Sequence, residues 1–579
     1  MIKRIVCLSL VVLFGLTAFS FAATIIVKAD GSGDYPTIQA AIDDANEGDI
    51  IEVWPGIYTG PGNRDIDPNG KNLTIRNTNP NDPNIVAATI IDCNGRLLDG
   101  HRGFYFHSGE DNNSVLDGLT ITNGFAPLDL NVFLEDGGGI LIVNSSPIIR
   151  NCIITNNEAR FGGGMGVHGG FGGGICCYDN ANALITNCNL TSNTSNNAGA
   201  GIACCSSSNP TISNCIFSSN SSFHGGGIGC DDNSNPFIIN CTVVQNHTLI
   251  DGAGIYCFNS HPTVLNCTIS GNTAGDWFLL NGLGGGIASF DSNQTIRNCV
   301  IVGNYAGVRG GGTYCGTVMN PNPSNPSIIN CTIAHNYAGD SGGGIACNYT
   351  NANLTNSVLW GNTAASPGPQ IALFLNPLWP STLTVSYCDI QGGQTDTYVA
   401  NGCSLNWLTG NIDKDPCFVE PGYWDPNGTP DDANDDFWVN GDYHLKSEGW
   451  RWDTDTNGWT WDSVTSRCID AGNPGSPLGE EPLTVPDDPN NIWGENLRIN
   501  MGAFGGTNKA SMPPYDWAIL GDLTNDGTVD FADLAHWAEN WLSTGDEWPG
   551  DLDGSGIIDI VDFALLAQDW FAETSWYEP

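Results

Sequence analysis

A short repeat in the middle of the chain constrains the fold more than any other sequence feature. Between residues 112 and 393 the motif Asn-Cys-x-apolar-x-x-Asn recurs, and its closest copies start 26 or 27 residues apart. The copies begin at Asn151, Asn187, Asn214, Asn240, Asn266, Asn298 and Asn330. A period of this length indicates a solenoid, in which each repeat adds one coil to a stack.

The segments between the glycine clusters have the pattern of short β-strands. Residues 211–216, Thr-Ile-Ser-Asn-Cys-Ile, are β-branched and alternate in polarity, and no helix signal interrupts the repeat. Three short strands per coil account for the period, and parallel crossovers are almost always right-handed. We therefore expect an all-β fold, with a right-handed parallel β-helix over residues 23–393.

Stacking of the coils explains which residue types repeat. Equivalent positions of successive coils lie about 4.8 Å apart, so the repeated Ile, Val and Leu positions form apolar columns. The corner asparagines tolerate left-handed backbone and can hydrogen-bond along the stack. Cysteines such as Cys177, Cys204 and Cys230 occupy an apolar column. Free buried thiols are favoured over a disulfide ladder there, because stacked in-register side chains have poor disulfide geometry.

Both ends of a solenoid expose strand edges that need a cover. Residues 36–46 predict a short amphipathic helix, with Ile38, Ala41 and Ile42 on one side. Residues 394–515 lose the repeat and predict an irregular cap region, in which Cys403, Cys417 and Cys468 leave room for one disulfide. A hairpin is expected at residues 450–461, where four tryptophans either pack across the strands, the favoured interpretation, or stack on sugars.

The N-terminus and the charge restrict location and partners. Lys3 and Arg4, an apolar run and Ser20-Phe21-Ala22 predict a secretory signal peptide over residues 1–22. No segment is long and apolar enough for a confident membrane span, so a secreted, extracellular or cell-surface-associated chain is expected. The net charge is −44, from 18 Lys+Arg and 62 Asp+Glu. Such a chain repels nucleic-acid phosphates and anionic lipid, so no nucleic-acid partner is expected.

The C-terminal segment, residues 516–579, carries two calcium-loop patterns, the second beginning 29 residues after the first. A calcium loop supplies oxygens from positions 1, 3, 5, 7, 9 and 12, with glycine at position 6. Each loop has this glycine, each precedes a helical pattern, and two Ca²⁺ sites are predicted. The candidate ligands, with backbone carbonyls at position 7, are Asp522, Thr524, Asp526, Thr528, Asp530, Asp533, Asp551, Asp553, Ser555, Ile557, Asp559 and Asp562.

These twin loop–helix units, at residues 521–572, resemble the type I dockerin module of cellulosome-type assemblies. Aspartate at position 12 fits that resemblance. The apolar pairs after position 9, Phe531-Ala532 and Ile560-Val561, depart from the Ser/Thr pair of the best-known dockerins. The resemblance implies a small all-α EF-hand-like domain that binds a cohesin-like partner through calcium. A plain structural pair of calcium sites is the alternative.

Two further resemblances cover residues 24–393. The segment 30–42, Asp-Gly-Ser-Gly-Asp-Tyr-Pro-Thr-Ile-Gln-Ala-Ala-Ile, followed by Gly56-Ile57-Tyr58, resembles the opening of pectin-esterase-like β-helix proteins. The paired glycine and Asn-Cys motifs resemble the repeats of bacterial polymorphic surface proteins. The esterase motif Gly-Thr-x-Asp-Phe-Ile-Phe-Gly is not found. The resemblance implies a protein that binds or degrades polysaccharide, as a lyase, glycoside hydrolase or esterase, and a non-catalytic adhesin or scaffold is the alternative.

Ionisable residues flank the glycine corners of several coils. Asp136, His224, Asp251 and Arg309 precede the corner, and Asp179, Asp232, Asn259 and Asp291 follow the next strand. Stacked acids of this kind bind calcium, act as acid and base on a glycan, or are solvated corner residues. The candidates for catalysis are Asp232, Asp251, His224 and Arg309, with the arginine as the cation of a lyase.

Overall fold

The computed structural model describes residues 22–127, 135–160, 169–275, 282–320, 322–376, 379–429, 436–483, 495–545 and 548–577. Nearly all of the predicted signal peptide lies outside these ranges. Four parallel sheets, with 14, 12, 8 and 11 strands, run along the molecule and are joined coil by coil. They form the expected parallel β-helix. Each complete coil has four strands rather than the three predicted. The additional strand, in the 8-stranded sheet, is often only two residues long, which is too short to show an alternating pattern in the sequence.

The strands of the 14-stranded sheet are Thr24–Val27, Ile50–Val53, Thr74–Asn77, Val115–Asp117, Ile148–Arg150, Leu184–Thr186, Thr211–Ser213, Phe237–Ile239, Thr263–Leu265, Thr295–Arg297, Ser327–Ile329, Asn351–Thr355, Thr382–Ser386 and Ser404–Trp407. Those of the 12-stranded sheet are Gly56–Thr59, Thr89–Asp92, Thr120–Thr122, Ile153–Thr155, Asn189–Thr191, Ile216–Ser218, Thr242–Val244, Thr268–Ser270, Val300–Val302, Thr332–Ala334, Val358–Trp360 and Asp389–Ile390.

Those of the 8-stranded sheet are Glu158–Ala159, Thr194–Ser195, Ser221–His224, His247–Asp251, Thr273–Ala274, Tyr305–Ala306, Tyr337–Ala338 and Thr363–Ala364. Those of the 11-stranded sheet are Phe104–Phe106, Ile140–Val143, Ile175–Tyr178, Ile202–Cys204, Ile228–Asp231, Ile255–Phe258, Ile287–Phe290, Thr313–Gly316, Ile345–Asn348, Ile371–Phe374 and Tyr398–Val399.

The core consists of stacked columns inside the coils. Isoleucines and cysteines of successive strands are fully buried in one cluster. A ladder of buried asparagines closes one corner. In it the side-chain amide of Asn246 donates to Asn272 Oδ1 at 2.9 Å, and Asn220 donates to Asn246 in the same way at 3.0 Å. The predicted stacking hydrogen bonds are confirmed. Every cysteine that the structure describes is a free thiol, as expected for the columns, and the disulfide left open among Cys403, Cys417 and Cys468 is not formed.

Short helices occur in the described chain only before and after the Asn-Cys repeats. The N-terminal helix Ile38–Asp44 starts at the N-cap Thr37 and buries Ile38, Ala41 and Ile42, as predicted. The others are Pro83–Ala88, the 3₁₀-helix Gly393–Asp396, and the C-terminal helices Phe531–Glu539 and Ile560–Gln568. Over the described ranges, none of these helices has the length and apolar character that a membrane crossing requires.

Residues 394–515, the predicted cap region, divide into two parts. Its first strands, Tyr398–Val399 and Ser404–Trp407, add to two of the parallel sheets. The described residues of the rest, 415–429, 436–483 and 495–515, pack along the side of the last coils, and we call this part the side layer. Its antiparallel strand pairs are Phe418–Glu420 with Asp442–Leu445, Tyr423–Asp425 with Phe437–Val439, and Arg451–Asp453 with Gly458–Thr460.

The side layer is held by apolar packing and by hydrogen bonds to the coils. The ring of Trp438 lies so close to Gly303 that a Cβ at position 303 would be 2.0 Å from the ring. Asn330 donates from Nδ2 to Asn500 O at 3.1 Å, and Thr332 Oγ1 accepts from Ala503 N at 3.0 Å. The tryptophan hairpin forms as predicted, with the rings of Trp452 and Trp459 edge to face across the strands, which is the packing interpretation.

Candidate functional site

The glycine corners fold the chain back over the outer face of the 11-stranded sheet. Gly252 has a φ of +64°, and a Cβ there would lie 2.6 Å from Ile255 O and 2.9 Å from Tyr256 Cα. Glycine is needed for both reasons, since L side chains avoid this conformation and the backbones almost touch. The corner therefore places Asp251 above the strand Ile255–Phe258.

The outer face of this sheet carries two columns of side chains. Inward neighbours such as Ile255 and Cys257 belong to the core, whereas the outward residues form separate clusters. In register, one column is Leu141, Cys176, Ala203, Gly229, Tyr256, Ala288, Tyr314, Ala346 and Ala372. The other includes Asp231, Phe258, Phe290, Gly316, Asn348 and Phe374. In the first column small residues alternate with the rings of Tyr256 and Tyr314, which leaves room for these rings to lie over their neighbours.

The rings form a nearly continuous strip, which we call the aromatic face (Tyr256, Phe258, Phe290, Tyr314 and Phe374). Ring centroids of Tyr256 and Phe290 are 5.8 Å apart, and those of Phe290 and Tyr314 are 5.4 Å apart. Tyr256 and Phe258 are partly exposed, whereas the other three rings are nearly buried. The Asn-Cys repeat does not predict this strip, although a signal is present in the sequence: each of the five rings comes one or three residues after the β-branched residue that follows a glycine corner.

His224 and Asp251 meet at one end of the aromatic face. They are register partners in the 8-stranded sheet, next to a register shift. His224 Nδ1 lies 3.7 Å from Asp251 Oδ2, and the imidazole packs on Tyr256 at 4.7 Å between ring centroids. This nitrogen is buried and has no hydrogen-bond partner among the described residues. The other oxygen of Asp251 accepts from Leu283 N at 3.0 Å.

Burial sets the protonation of this pair. It lowers the pKa of His224 to about 4 and raises the pKa of Asp251 to about 6. Burial, together with the neighbouring carboxylates Asp231 and Asp251, also raises the pKa of Tyr256. Between about pH 4 and pH 6 the carboxyl group therefore holds a proton while the imidazole is neutral, so one can supply a proton and the other can accept one.

Arg309 stands in the same column but not in contact with the pair. Leu283 lies between Asp251 and Arg309 in the corner column, so two coil spacings, about 10 Å, separate their backbones. The guanidinium instead pairs with Asp340, with Nε 2.9 Å from Oδ2, and covers the ring of Phe374 at 3.7 Å. It lies toward the opposite end of the aromatic face from His224.

Asp232 lies apart from the other candidates. It follows the strand Ile228–Asp231, whereas Asp251 precedes the next strand of the same sheet, so a strand length of about 10–13 Å separates the two edges. Asp232 is exposed and has a φ of +52°, as expected for a corner residue. Its neighbour Asp231 is the one that faces outward beside Tyr256. In the same corner column, Asp291 caps a loop by accepting from Val318 N at 3.0 Å.

The predicted calcium loops lie in the C-terminal tail, residues 516–577 of the described chain. In the second loop, ligand oxygens of Asp551, Asp553 and Asp562 all lie within 4.8 Å of one another. Asp562 also accepts from Asp559 N at 2.7 Å, which closes a capping box at the start of the helix Ile560–Gln568. Three carboxylates this close repel one another unless a cation neutralises them, so the donor set fits calcium.

The first loop has the same plan with a hydroxyl at position 3. Thr524 Oγ1 lies 3.4 Å from Asp522 Oδ1 and 3.1 Å from Asp533 Oδ1. Asp522 and Asp533 are buried, and burial, with their mutual repulsion, raises the pKa of Asp522 to about 7. Hard oxygen ligands and excess negative charge again fit calcium, although the hydroxyl is a weaker ligand than the carboxylate of Asp553.

Solved structures with a similar fold include a pectate lyase, a pectin methylesterase and a phage tailspike protein. The pectate lyase Pel9A is 15% identical, with a TM-score of 0.40, over 84% of this chain and 97% of its own. Pectin methylesterase from carrot is 12% identical, with a TM-score of 0.25, over 62% and 87%. Tailspike protein 3 of bacteriophage CBA120 is 12% identical, with a TM-score of 0.33, over 74% and 66%. Comparison with curated protein sequences gave no significant match.

A family model described as "right handed beta helix region" matches residues 62–247, 166–316 and 252–375, which together make up more than half of the chain. These ranges cover the Asn-Cys repeats and the glycine corners that carry His224, Asp251 and Arg309. The chain belongs to the right-handed β-helix family.

Proposed function

We propose that this protein is exported and binds a polysaccharide along the aromatic face of the 11-stranded sheet. The observation that carries the proposal is the convergence of His224, Asp251 and the partly exposed ring of Tyr256 at one end of that strip. Sugar rings present apolar C–H faces and hydroxyl edges, which match aromatic rings next to polar groups.

A polymer suits this surface better than a small ligand does. The five rings come from four of five successive coils, so the aromatic face extends along the solenoid from Tyr256 to Phe374, with Tyr256 and Phe258 as its partly exposed rings. Solenoids use such extended surfaces for long ligands. The net charge of −44 disfavours polyanions. A neutral glycan, or a uronate bridged by calcium, is therefore the expected class.

Cleavage of the bound glycan is a second candidate, and the His224–Asp251 pair favours it. β-Elimination is the step that this geometry fits. Neutral His224 takes the proton from the sugar carbon next to a uronate carboxyl group, a C=C bond forms, and the glycosidic C–O bond breaks as protonated Asp251 gives its proton to the leaving oxygen. The 3.7 Å separation of the two groups leaves no room for the attacking water of an inverting hydrolase, whose acid and base lie about 6.5–9.5 Å apart. An unsaturated sugar end among the products identifies elimination. The non-catalytic adhesin or scaffold remains the alternative.

Sugar release by the purified mature protein tests cleavage, with calcium, on pectin, other uronates, xylan and sulfated glycans. We expect products from one polymer, fastest between about pH 4 and pH 6. Asp251→Asn keeps the acceptor for Leu283 N and is expected to slow release by about 10²-fold or more. Asp232→Asn, at the opposite edge of the sheet, is the control and should be silent. No product from any polymer, or equal loss in both variants, contradicts cleavage at this site.

The tail is proposed to bind two calcium ions and to tether the protein to a cohesin-like partner outside the cytoplasm. Exposed apolar residues at the helix starts support a docking role, since Phe531 is 70% and Ile560 is 63% exposed. Calorimetric titration should give two calcium ions per chain, and chelation should abolish capture by a cohesin. Calcium binding without capture by any cohesin would leave a structural calcium pair.

A further inference from the structure

The first calcium loop is hydrogen-bonded to the solenoid side of the molecule, and the second is not. Arg498 Nη1 donates to Asp522 O at 2.7 Å, and Tyr387 Oη donates to Leu523 O at 3.0 Å. Asn525 donates from Nδ2 to Gly410 O at 2.9 Å and to Ala471 O at 2.8 Å. Positions 1, 2 and 4 of the loop are thus all held by the coils or the side layer.

The second loop differs at the same positions. Position 4 is Gly554, which is exposed and has open space where a Cβ would point. Within the described chain, the hydrogen bonds of residues 551–562 have partners only inside the tail. Two loops of the same plan therefore have different surroundings, and Asn525 contacts the coils and the side layer at the position where the second loop has Gly554.

Arg498 disfavours opening of the first loop, because its buried guanidinium would lose a hydrogen-bond acceptor. Its side chain is fully buried, and its other hydrogen bonds go to Gly472 O, from Nε at 3.0 Å and Nη2 at 2.7 Å, and to Ala471 O, from Nη2 at 3.4 Å. If the loop opens, the Asp522 carbonyl moves away and a buried guanidinium loses an acceptor. A second contact lies beside it, where Arg467 covers the ring of Trp576 at 3.9 Å.

We propose that the first loop is a calcium-dependent latch that fixes the tail to the side layer in one orientation. This inference rests on the proposed calcium binding of the tail. The carboxylates of Asp522 and Asp533 point into the loop while its carbonyls point to Arg498 and Tyr387. A bound cation holds the carboxylates together and so holds the carbonyls in place. Without the cation, repulsion between the two carboxylates opens the first loop and releases the latch. Calcium binding at the second loop has no effect on the side layer.

Hydrogen exchange of the full mature chain, with calcium or with a chelator, tests the latch. The readout is exchange at side-layer amides that adjoin it, including Gly472 N, bonded to Ile499 O, and Met501 N, bonded to Cys468 O. Calcium is expected to slow these amides by about tenfold, the effect of one or two hydrogen bonds. Asp551→Asn, in the second loop, should keep this protection, and Asp522→Asn, at the matched position of the first, should lose it.

Asn525→Gly copies the residue of the second loop and leaves every proposed ligand in place. It should still bind calcium at the first loop by calorimetry but lose most of the protection. Calcium bound at both loops of the wild type without slower side-layer exchange refutes the latch and leaves the tail as a calcium module. Equal protection in Asp522→Asn and Asp551→Asn refutes it as well. No calcium binding at either loop refutes the proposed calcium function, and the latch with it.

Discussion

Replacing one asparagine of the buried ladder should loosen the coils around it far more than replacing a corner asparagine does. Asn246 is about 1% exposed, and its Oδ1 accepts from both the backbone and the side-chain nitrogen of Asn220, each at 3.0 Å. Its own Nδ2 donates to Phe217 O and to Asn272 Oδ1. Asn246→Ala leaves two buried donors of Asn220 without an acceptor, at about 1–3 kcal/mol each, so about 4 kcal/mol is expected.

Asn240→Ala is the matched control, one corner earlier in the same coil. Asn240 has a φ of +53°, and its side-chain contact to Asn214 is long, at 3.4 Å, and exposed. Only the left-handed backbone penalty of about 1–2 kcal/mol is expected. Native-state hydrogen exchange of residues 214–272 measures both, because it reports local stability where a solenoid does not unfold in two states. Equal losses in the two variants would refute the account of the ladder.

Three further predictions concern the side layer and the thiols. Gly303→Ala should detach Trp438 and raise the protease sensitivity of residues 415–515. Gly428→Ala should not, because Gly428 also has a positive φ, of +78°, but a Cβ there would have no atom within 4 Å. Equal effects of the two variants would contradict the packing of Trp438 on Gly303. Burial raises the pKa of Asp389 to about 8. The unfolded carboxyl titrates near pH 4, so this group's contribution to stability is lost as pH rises from about 4 to 8. Asp389→Asn should therefore raise the melting temperature more at pH 8 than at pH 5; the same rise at both values would argue against a protonated Asp389. Half-buried Cys417 and Cys403 should react with a thiol reagent before the fully buried column cysteines, such as Cys177, in which burial raises the pKa of the thiol. Rapid labelling of the column cysteines in the native state would contradict their burial in the core.

The parallel β-helix could be predicted because its cause is local and periodic. Each coil repeats the same corner residues, so stacking and the asparagine ladder follow from one sequence, and the helix at Ile38 follows from its own apolar spacing. The position of the side layer could not be predicted, because its contacts join residues that are far apart in the sequence, such as Asn330 and Asn500. One signal was available: in one outward column of the 12-stranded sheet, Ser218, Val244 and Ser270 are followed by Val302, Ala334 and Trp360, so the column becomes wholly apolar where the side layer packs on it.

The candidate site was only partly predictable for a similar reason. The proximity of His224 and Asp251 could be predicted from the corner column, because adjacent coils bring equivalent positions together. Asp232 shows the limit of that reasoning, since two columns that look alike in sequence lie on opposite edges of a sheet. The Gly252 corner is part of the repeat, but Tyr256 stands where the neighbouring coils have Gly229 and Ala288, so the repeat does not predict the contact of this ring with His224.

Binding of polysaccharides to the mature protein and to two tyrosine variants tests the central claim most directly. Tyr256 lies on the aromatic face, and Tyr337, stacked on Tyr305 at 5.2 Å in the 8-stranded sheet, is the control. The account predicts that one polymer of the panel binds, that Tyr256→Ala weakens its affinity by about tenfold, and that Tyr337→Ala leaves it unchanged. Binding that both variants retain in full, or that Tyr337→Ala alone abolishes, would contradict the assignment of the aromatic face as the polysaccharide site.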